Sequence, residues 1–223
     1  MIISLTTLPS RIPKIKAGIE SLKKQGFPIY LWIPKYVKRL NQTFDGVIPK
    51  FLEGINYEVV EDRGSITKLL GGLDVTNDLL ITADDDVVYP DNWAINLIKF
   101  YESLTEKGAC CYRGRIFRNR KNKKYGNSSL IRQPKVAKQV DIACGTWGTL
   151  YDKSMFSQDI YILKHHMVDD IVISCELQKN KVPRWCIPSE KIKEYSVCRT
   201  DSLWGHNRKA DNNDNAIKDL WID

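Results

Sequence analysis

The sequence predicts an α/β fold, with a mixed, mainly parallel central sheet and helices on both faces. Through the first half of the chain, short apolar runs typical of buried strands alternate with amphipathic helical segments, and this alternation favours a parallel sheet. The length of 223 residues and the hydrophobic content of 43% suit a single domain with a substantial core.

The spacing of apolar residues predicts the strands and helices of the first half of the chain. Strands are predicted at the short apolar runs, residues 2–6, 29–33, 57–60 and 79–83. Helices are predicted where apolar residues recur every three or four positions, at residues 13–24, 66–73 and 90–108. Ligands of such sheets bind beyond the carboxyl ends of the strands, so the residues that follow each strand are candidates for the site.

The second half is less regular. Short strands are predicted at residues 141–143 and 185–188, and a loop at residues 144–148. A helix is predicted at residues 168–180, with two aspartates in its first turn. The tail after Asp201 is rich in Asn and Asp and is expected to lie over the surface.

Three consecutive aspartates, Asp84, Asp85 and Asp86, follow the apolar run 79–83. Adjacent carboxylates repel one another, so such a cluster is favourable only in open solvent or beside a cation. Hard divalent cations take oxygen ligands, and the apolar flanks favour a metal site at the strand end. In an extended backbone, Asp84 and Asp86 point to one side, toward metal and nucleotide, and Asp85 to the other. The alternative is an acidic turn without a ligand.

Five residues are candidates for binding a nucleotide. Thr6 and Thr7 offer hydroxyls at the end of the first strand, and Arg11 offers a cation for phosphate, although it also suits a surface position. Asp62 and Lys68 flank a glycine-containing turn into a helix, and helix N-termini attract phosphate. Lys68 is expected to meet either a diphosphate or Asp84, unless it is simply solvated.

Asp169 and Asp170 are candidates for acid–base chemistry. A carboxylate at this position can deprotonate a substrate hydroxyl or stabilise a positive charge that develops during a reaction. The alternative is a favourable placement of two acids at a helix N-terminus. We favour Asp170. Trp147, between two glycines, suits either a stacking platform for a ligand or the core.

Five segments, in order, resemble glycosyltransferases of the GT-A fold that contain a D-x-D motif. Residues 81–90 resemble the D-x-D segment itself, and the resemblance covers nearly the whole chain. The other similar segments are residues 3–12 (first strand and nucleotide-binding loop), 62–70 (the segment before D-x-D), 144–148 (acceptor-side loop) and 169–170 (late acidic pair). Size and composition more loosely resemble compact glycosyltransferase domains of large algal viruses.

The resemblance implies a metal-dependent hexosyltransferase that uses a nucleotide diphosphate sugar, in particular a UDP-sugar, and a carbohydrate acceptor. It implies Mn²⁺ or Mg²⁺ at Asp84 and Asp86, with the late His206 completing the shell unless that histidine is structural. Asp85 and Asp170 are then expected to face the sugar and the acceptor. It also implies one catalytic domain, with residues 1–108 as the nucleotide-binding half and residues 109–223 as the acceptor-binding half.

The basic surplus of the chain lies in one stretch. Residues 113–138 contain ten Lys and Arg and no acid, and without them the chain has 24 basic and 27 acidic residues. A solvated loop or a surface for an anionic substrate or acceptor fits this pattern. A nucleic-acid-binding module is the third interpretation, but the stretch has few aromatic residues and nucleic acid is not expected as a partner.

Other features of the sequence limit the possible functions and the cellular location. A sugar-phosphate nucleotidyltransferase is an alternative, although residues 5–11 lack the glycines of a phosphate loop. The six cysteines include no C-x-x-C pair, which favours free thiols in a reducing compartment. There is no apolar stretch of about 18 residues and no signal-peptide pattern. The expected location is therefore the cytoplasm, that of the host if the chain is viral.

Overall fold

The computed structural model of the chain describes residues 1–165, 167–190, 192–194 and 211–222. The α-helices are α1 (Lys16–Lys23), α2 (Thr67–Val75), α3 (Trp93–Ser103), α4 (Asp169–Lys179) and α5 (Asn212–Leu220). The strands are β1 (Ile2–Thr6), β2 (Ile29–Pro34), β3 (Tyr36–Val37), β4 (Gln42–Thr43), β5 (Asn56–Val60), β6 (Leu79–Ala83), β7 (Val87–Val88), β8 (Ala109–Cys111), β9 (Arg113–Phe117), β10 (Ser128–Arg132), β11 (Lys138–Gln139), β12 (Ile142–Ala143), β13 (Thr149–Asp152), β14 (Arg184–Cys186) and β15 (Lys193–Glu194).

The central sheet has eight strands in the order β11-β14-β8-β13-β6-β1-β2-β5. Strand β1 pairs in parallel with both β2 and β6, and β2 with β5. Strand β13 joins β6 to β8 by antiparallel pairing, and β14 runs parallel to β8. The sheet is thus mixed and mainly parallel, which confirms the predicted fold class.

The order of the strands creates a crevice beside β1. The chain passes from β1 through α1 to β2 on one side, and from β5 through α2 to β6 on the other side of β1. Right-handed crossovers place α1 and α2 on opposite faces of the sheet. After β1 the chain crosses to β2 on one side, whereas after β6 it continues to the strands on the other side. The carboxyl ends of these two parallel strands therefore flank the position where ligands bind in open α/β sheets.

The core covers the predicted apolar faces. In α1 and the residue before it, Ile15, Ile19 and Leu22 are buried, as predicted from their spacing. In α3, the buried apolar residues are Trp93, Ala94, Leu97, Ile98 and Tyr101. Burial of each large aliphatic side chain contributes about 1.5–3 kcal/mol, so these faces hold the helices on the sheet.

A second sheet, with the order β10-β9-β12, lies in the half that was predicted to be less regular. Its β9 and β10 form an antiparallel hairpin in which Arg132 pairs with Arg113 and Leu130 with Arg115. Ile116 and Ile131, on one face, pack against a buried cluster that includes Cys111. Side chains alternate across a strand, so Arg113, Arg115 and Arg132 share the other face.

The bounds of two predicted helices were wrong, and one helix in the tail was not predicted. The third helix spans Trp93–Ser103 instead of residues 90–108, because the chain leaves the helix before β8 begins at Ala109. The first helix starts at Lys16 rather than at residue 13, because Pro9–Lys14 form a 3₁₀ helix that contains Pro13. Part of the polar tail forms α5, where Ala216 and Ile217 are buried. Its apolar residues Ala216, Ile217 and Leu220 do have helical spacing, but they are too few for the sequence to predict a helix within so polar a tail.

Two further features concern the whole described chain. The five cysteines that the structure describes are buried free thiols. Among the described residues, none of the helices is both long enough and apolar enough to span a bilayer.

Candidate active site

A cleft of about 800 Å³ opens at the carboxyl ends of β1 and β6. It is lined by the loops after these strands, the start of α4, the β9–β10 hairpin and the start of α5. Ten predicted site residues line it: Thr6, Thr7, Arg11, Asp62, Lys68, Asp84, Asp85, Asp86, Asp169 and Asp170. His206 lies outside the described residues.

Asp85 is held between the two strand ends. Its carboxylate accepts hydrogen bonds from the Thr7 hydroxyl at 2.6 Å and from the Arg11 guanidinium at 3.0 Å. Burial raises the pKa of Asp85, and the charge of Arg11 and the Thr7 hydroxyl partly oppose this rise. Asp85, Thr7 and Arg11 therefore contact one another, and together they tie the loop after β1 to the loop after β6.

The predicted alternation of the three aspartates was wrong. Strand β6 ends at Ala83, and residues 85–86 lie in a turn, so the extended backbone that alternation requires is absent there. Asp84, Asp85 and Asp86 all line the same cleft. They differ in their partners instead of in the side of the strand to which they point.

Lys68 links Asp84 to the start of α4. Its ammonium lies 2.9 Å from a carboxylate oxygen of Asp84 and 3.4 Å from one of Asp169. Burial lowers the pKa of Lys68, but the charges of Asp84 and Asp169 outweigh burial and hold it well above its usual range. The buried lysine is therefore charged, and it joins β6 to α4 across the floor of the cleft.

Asp86 lacks such an ion pair. Its side chain is partly exposed in the cleft and has no hydrogen-bond or ion-pair partner on any other described residue. Burial, together with the charges of Asp84 and Asp85, raises the pKa of Asp86 to about 7, although the charge of Arg11 opposes this rise. An additional cation beside this carboxylate would favour its ionised form.

The two aspartates that begin α4 also differ. Asp169 accepts a hydrogen bond from the Ser65 hydroxyl at 2.7 Å, and its second oxygen faces Lys68. Asp170 accepts one from the backbone N–H of Gly145 at 2.6 Å. Burial and the charge of Asp169 raise the pKa of Asp170 to about 7, although the Gly145 N–H opposes this rise.

Gly145 permits the close approach of these groups. A Cβ at this position would lie 3.1 Å from a carboxylate oxygen of Asp170 and 3.3 Å from the Lys68 ammonium, closer than most side-chain contacts. The sequence predicts the loop 144–148 but not this role, because only the tertiary structure brings Gly145 beside α4. Ser65 was missed for the same reason.

Trp147 belongs to the core. Only 7% of its surface is exposed, and its indole N–H donates to Glu194 at 2.5 Å. Its carbonyl accepts from the Trp93 indole at 2.7 Å. Of the two interpretations that the sequence left open for Trp147, the structure supports the core.

Two predicted nucleotide-binding residues lie at the side of the cleft. The Thr6 hydroxyl donates to the carbonyl of Trp32 at 2.9 Å. Asp62 is exposed and accepts from the N–H of Gly64 at 2.9 Å, which shapes the turn before α2. Neither residue contacts the strand-end carboxylates directly, and both face the open volume.

The opposite wall of the cleft comes from the basic stretch 113–138, and the place of this stretch beside the carboxylates was not predicted. Arg113 and Arg115 come from β9, and the Arg115 guanidinium lies 4.1 Å from the ring centre of Tyr125. The backbone N–H of Tyr125 donates to Asp214 of α5 at 2.6 Å. Nothing in the sequence spacing connects these residues, since α5 reaches the hairpin only through the fold.

The histidines give no second metal site among the described residues. A helical start at residue 165 would pair His165 with Asp169, but His165 precedes α4 and has a φ of 68°. Its ring nitrogen instead lies 2.9 Å from Asp219 of α5. The pairing of His166 with Asp170 lies outside the described residues.

No family model and no curated protein sequence matches the chain. Among solved structures, one similar chain is described as a putative glucose-1-phosphate thymidylyltransferase from Bacillus anthracis in complex with sucrose, with a TM-score of 0.52 and 20% identity over 94% of both chains. Another is a mannosyltransferase from Pyrobaculum calidifontis in complex with GDP-Man and Mn²⁺, with a TM-score of 0.51 and 14% identity over 98% of this chain and 67% of that one. At these identities the likeness shows the fold, which is Rossmann-like and of the GT-A type.

Proposed function

We propose that this protein is a metal-dependent glycosyltransferase that moves a sugar from a nucleotide diphosphate sugar to the hydroxyl of a carbohydrate acceptor. The observation that carries the proposal is that Asp86 and Asp170 face one cleft at the strand ends, and each carboxylate has a pKa raised to about 7. Such raised values are typical of groups that bind a cation or transfer a proton.

The carboxylates fit a hard divalent cation. The cleft is lined by nine acidic and five basic side chains, so an anionic diphosphate would be repelled unless a cation accompanied it. Asp84 and Asp86 supply oxygen ligands, the donor type that Mg²⁺ and Mn²⁺ prefer. A cation bound there would neutralise the departing diphosphate as a Lewis acid.

Further ligands would have to come from elsewhere. Within the part of the chain that the structure describes, no three His, Cys, Asp or Glu side chains form a group able to hold a metal ion. Diphosphate oxygens of the donor usually fill such positions around Mg²⁺. His206 remains a proposed ligand outside that part.

Asp170 is the proposed base. With a pKa of about 7 it is substantially deprotonated at neutral pH and still basic enough to accept the proton of an acceptor hydroxyl. Asp169 is less suited, because Ser65 and Lys68 already engage its oxygens. This role of Asp170 corresponds to an inverting transfer, in which the acceptor oxygen displaces the nucleoside diphosphate directly.

The other cleft residues would shape the donor site. Thr6 and Asp62 are proposed to contact the nucleotide, since they face the open volume. Thr7, Arg11 and Asp85 are proposed to hold the loop that supports it, because their mutual hydrogen bonds already occupy them. Asp85 is therefore a weaker candidate for contact with the sugar than Asp170.

A donor screen tests the proposal. UDP-, GDP- and dTDP-sugars are incubated with the protein in Mn²⁺, Mg²⁺ or chelator, and binding and release of nucleoside diphosphate are measured. We expect metal-dependent binding and hydrolysis of one class, with UDP-sugars the first expectation. The substitution Asp86→Asn should abolish metal-dependent binding. The control Glu106→Gln removes the same charge at an exposed position away from the cleft and should leave binding unchanged.

Two outcomes would reject the proposal. One is the absence of binding or turnover of every nucleotide sugar with every metal. The other is release of pyrophosphate from a nucleoside triphosphate and a sugar phosphate, which would identify a nucleotidyltransferase instead. Unchanged metal-dependent binding by Asp86→Asn would remove only Asp86 from the metal site.

A further inference from the structure

The cleft continues into a basic surface that the proposed chemistry does not use. We define the arginine wall as Arg113, Arg115 and Arg132, which share one face of the β9–β10 hairpin. Arg113 and Arg115 line the cleft, and Arg132 pairs directly with Arg113 across the hairpin and is exposed. Side chains that pair directly lie close together, and like charges in such pairs are unfavourable unless an anion lies near them. Glu194 is one such anion, because its carboxylate lies 3.6 Å from the Arg113 guanidinium, whereas Arg115 and Arg132 have no ion-pair partner among the described residues.

Further cations lie in the same basic stretch of the chain, residues 113–138. We define the lysine rim as four exposed lysines whose ammonium groups have no hydrogen-bond or ion-pair partner among the described residues: Lys121, Lys124, Lys135 and Lys138. The loop that carries part of the rim is anchored, because Arg120 pairs with Asp141 and Arg118 donates to the Ser129 hydroxyl at 3.0 Å. The rim is therefore uncompensated positive charge on the same basic stretch as the wall, and it comes nearest to the cleft at Lys124, next to the lining residue Tyr125.

We infer that the acceptor of this enzyme is an anionic glycan, whose phosphate or carboxylate groups bind the arginine wall and the lysine rim while an uncharged unit enters the cleft to react. The inference rests on the proposed function. Guanidinium groups bind carboxylate and phosphate through paired hydrogen bonds, and exposed lysines add attraction without fixed geometry.

The charge distribution defines the kind of anion. Asp84, Asp86 and Asp170 on the floor of the cleft would repel negative charge on the reacting unit itself. The wall and the rim would attract negative charge on the units that follow it. A glycan with charges set back from its end fits both regions, whereas nucleic acid carries a phosphate at every unit. The stretch 113–138 also has only Phe117 and Tyr125 as aromatic residues, too few for base stacking.

Binding of labelled oligosaccharides tests the inference. The probes are an oligogalacturonate with a neutral terminal sugar, a phosphorylated oligosaccharide of equal length and an uncharged glucan of equal length. We expect the intact protein to bind a charged probe at low salt and the glucan at least about tenfold more weakly, with the difference decreasing as salt rises. The two charged probes distinguish carboxylate from phosphate as the preferred group.

A matched pair of variants locates the site. The first carries Gln at the four lysines of the rim, and the control carries Gln at four exposed lysines elsewhere: Lys14, Lys16, Lys24 and Lys99. Both lose the same formal charge, and thermal unfolding checks that both are folded. Loss of charged-probe binding by about tenfold in the rim variant, against about twofold or less in the control, would support the inference.

Several results would overturn it. Equal binding of the charged and uncharged probes, or equal loss in both variants, would remove the rim as an anionic-glycan site. Tighter binding of duplex DNA or of phosphatidylglycerol vesicles than of every charged glycan would identify a different partner. Failure of all charged probes while the protein hydrolyses a nucleotide sugar would refute this inference alone. Absence of any nucleotide-sugar binding would refute the proposed function on which it rests.

Discussion

The cleft contains two acidic segments, one at the end of β6 and one at the start of α4, and they follow the same pattern. In the strand-end segment, Asp84 and Asp85 form ion pairs with Lys68 and Arg11, whereas Asp86 has no ion-pair partner among the described residues. In the helix-start segment, Asp169 is held by Ser65 and Lys68, whereas Asp170 accepts a hydrogen bond from a backbone N–H.

This comparison separates residues that hold the site together from residues that are available to a ligand. The carboxylates in ion pairs connect elements that are distant in sequence. Asp85 connects the loops after β1 and β6, and Asp84 and Asp169 connect β6 to α4 through their shared partner Lys68. Asp86 and Asp170, which form no ion pair with a described residue, have pKa values raised to about 7, mainly by burial and by their acidic neighbours, and burial also raises the pKa of the ion-paired Asp85. Each segment thus contributes at least one carboxylate held by a cation and one that is left available to a ligand.

The largest effect is expected within the helix-start segment. Asp170→Asn should lower the rate of transfer by about 10²–10⁴-fold while donor binding persists, because the acceptor hydroxyl loses its base. Asp169→Asn makes the same chemical change at the adjacent residue and should reduce the rate of transfer much less, because Ser65 and Lys68 already engage this carboxylate. Steady-state kinetics of both variants measure this difference, and equal losses would contradict the distinction between the two aspartates.

Removal of a compensated carboxylate should affect stability instead. Asp85→Ala removes the ion pair of the Arg11 side chain, of which 13% is exposed, and should lower the free energy of unfolding by about 2–4 kcal/mol. Asp62, an exposed acid of the same cleft, is the control, and Asp62→Ala should lower the free energy of unfolding by about 0.5 kcal/mol or less. Denaturant unfolding measures both changes. A similar small cost for each would show that the pairing of Asp85 with Arg11 does not support the fold.

The pH dependence of transfer should report Asp170. A base acts in its deprotonated form, so a carboxylate with a pKa of about 7 loses activity as the pH falls below 7. With metal and donor saturating, we expect a decline of about tenfold per pH unit below the midpoint and a plateau above it. A rate that stays constant from about pH 5.5 to about pH 8 would exclude Asp170 as the base.

The smallest expected effect is a gain in stability at Asp86. Its pKa is about 7 in the folded state against about 3.9 unfolded, so the native state binds the proton more tightly and stability falls as the pH rises from about 4 to about 7. Asp86→Asn removes the charge and should stabilise the metal-free protein by about 1–2 kcal/mol at about pH 8, discounted because the carboxylate faces the solvent of the cleft. The gain should shrink toward acidic pH. Unfolding in chelator at both pH values tests this sign, and a loss of stability at the alkaline value would contradict it.

The accuracy of the sequence predictions differs between the two halves of the chain. The spacing of Ile15, Ile19 and Leu22 marked the buried face of α1, and the run that ends at Ala83 marked β6. Hairpin β9–β10 was missed because its strands carry arginines on the face that lines the cleft, so they lack the continuous apolar run by which β1 and β6 were predicted. Helix α5 was missed because few of its residues are apolar.

The predictions for the candidate site were also accurate in one respect and incomplete in another. Ten of the predicted site residues line one cleft, because residues that follow parallel strands converge at one edge of a sheet. The partners of these residues could not be predicted from their types. Nothing local in the sequence places Ser65 against Asp169 or Gly145 against Asp170, since each pair joins segments that meet only after folding.

The sequence alone determined the fold class and the identity of the acidic segments, since hydrophobic periodicity and clustered charge are local properties of the chain. Only the tertiary structure decided which aspartates are neutralised and which remain available. That distinction depends on burial and on the distances to Lys68 and Arg11, and both are set by packing between elements far apart in sequence. The aspartate triplet is one motif in the sequence, but its three carboxylates have three different environments in the fold.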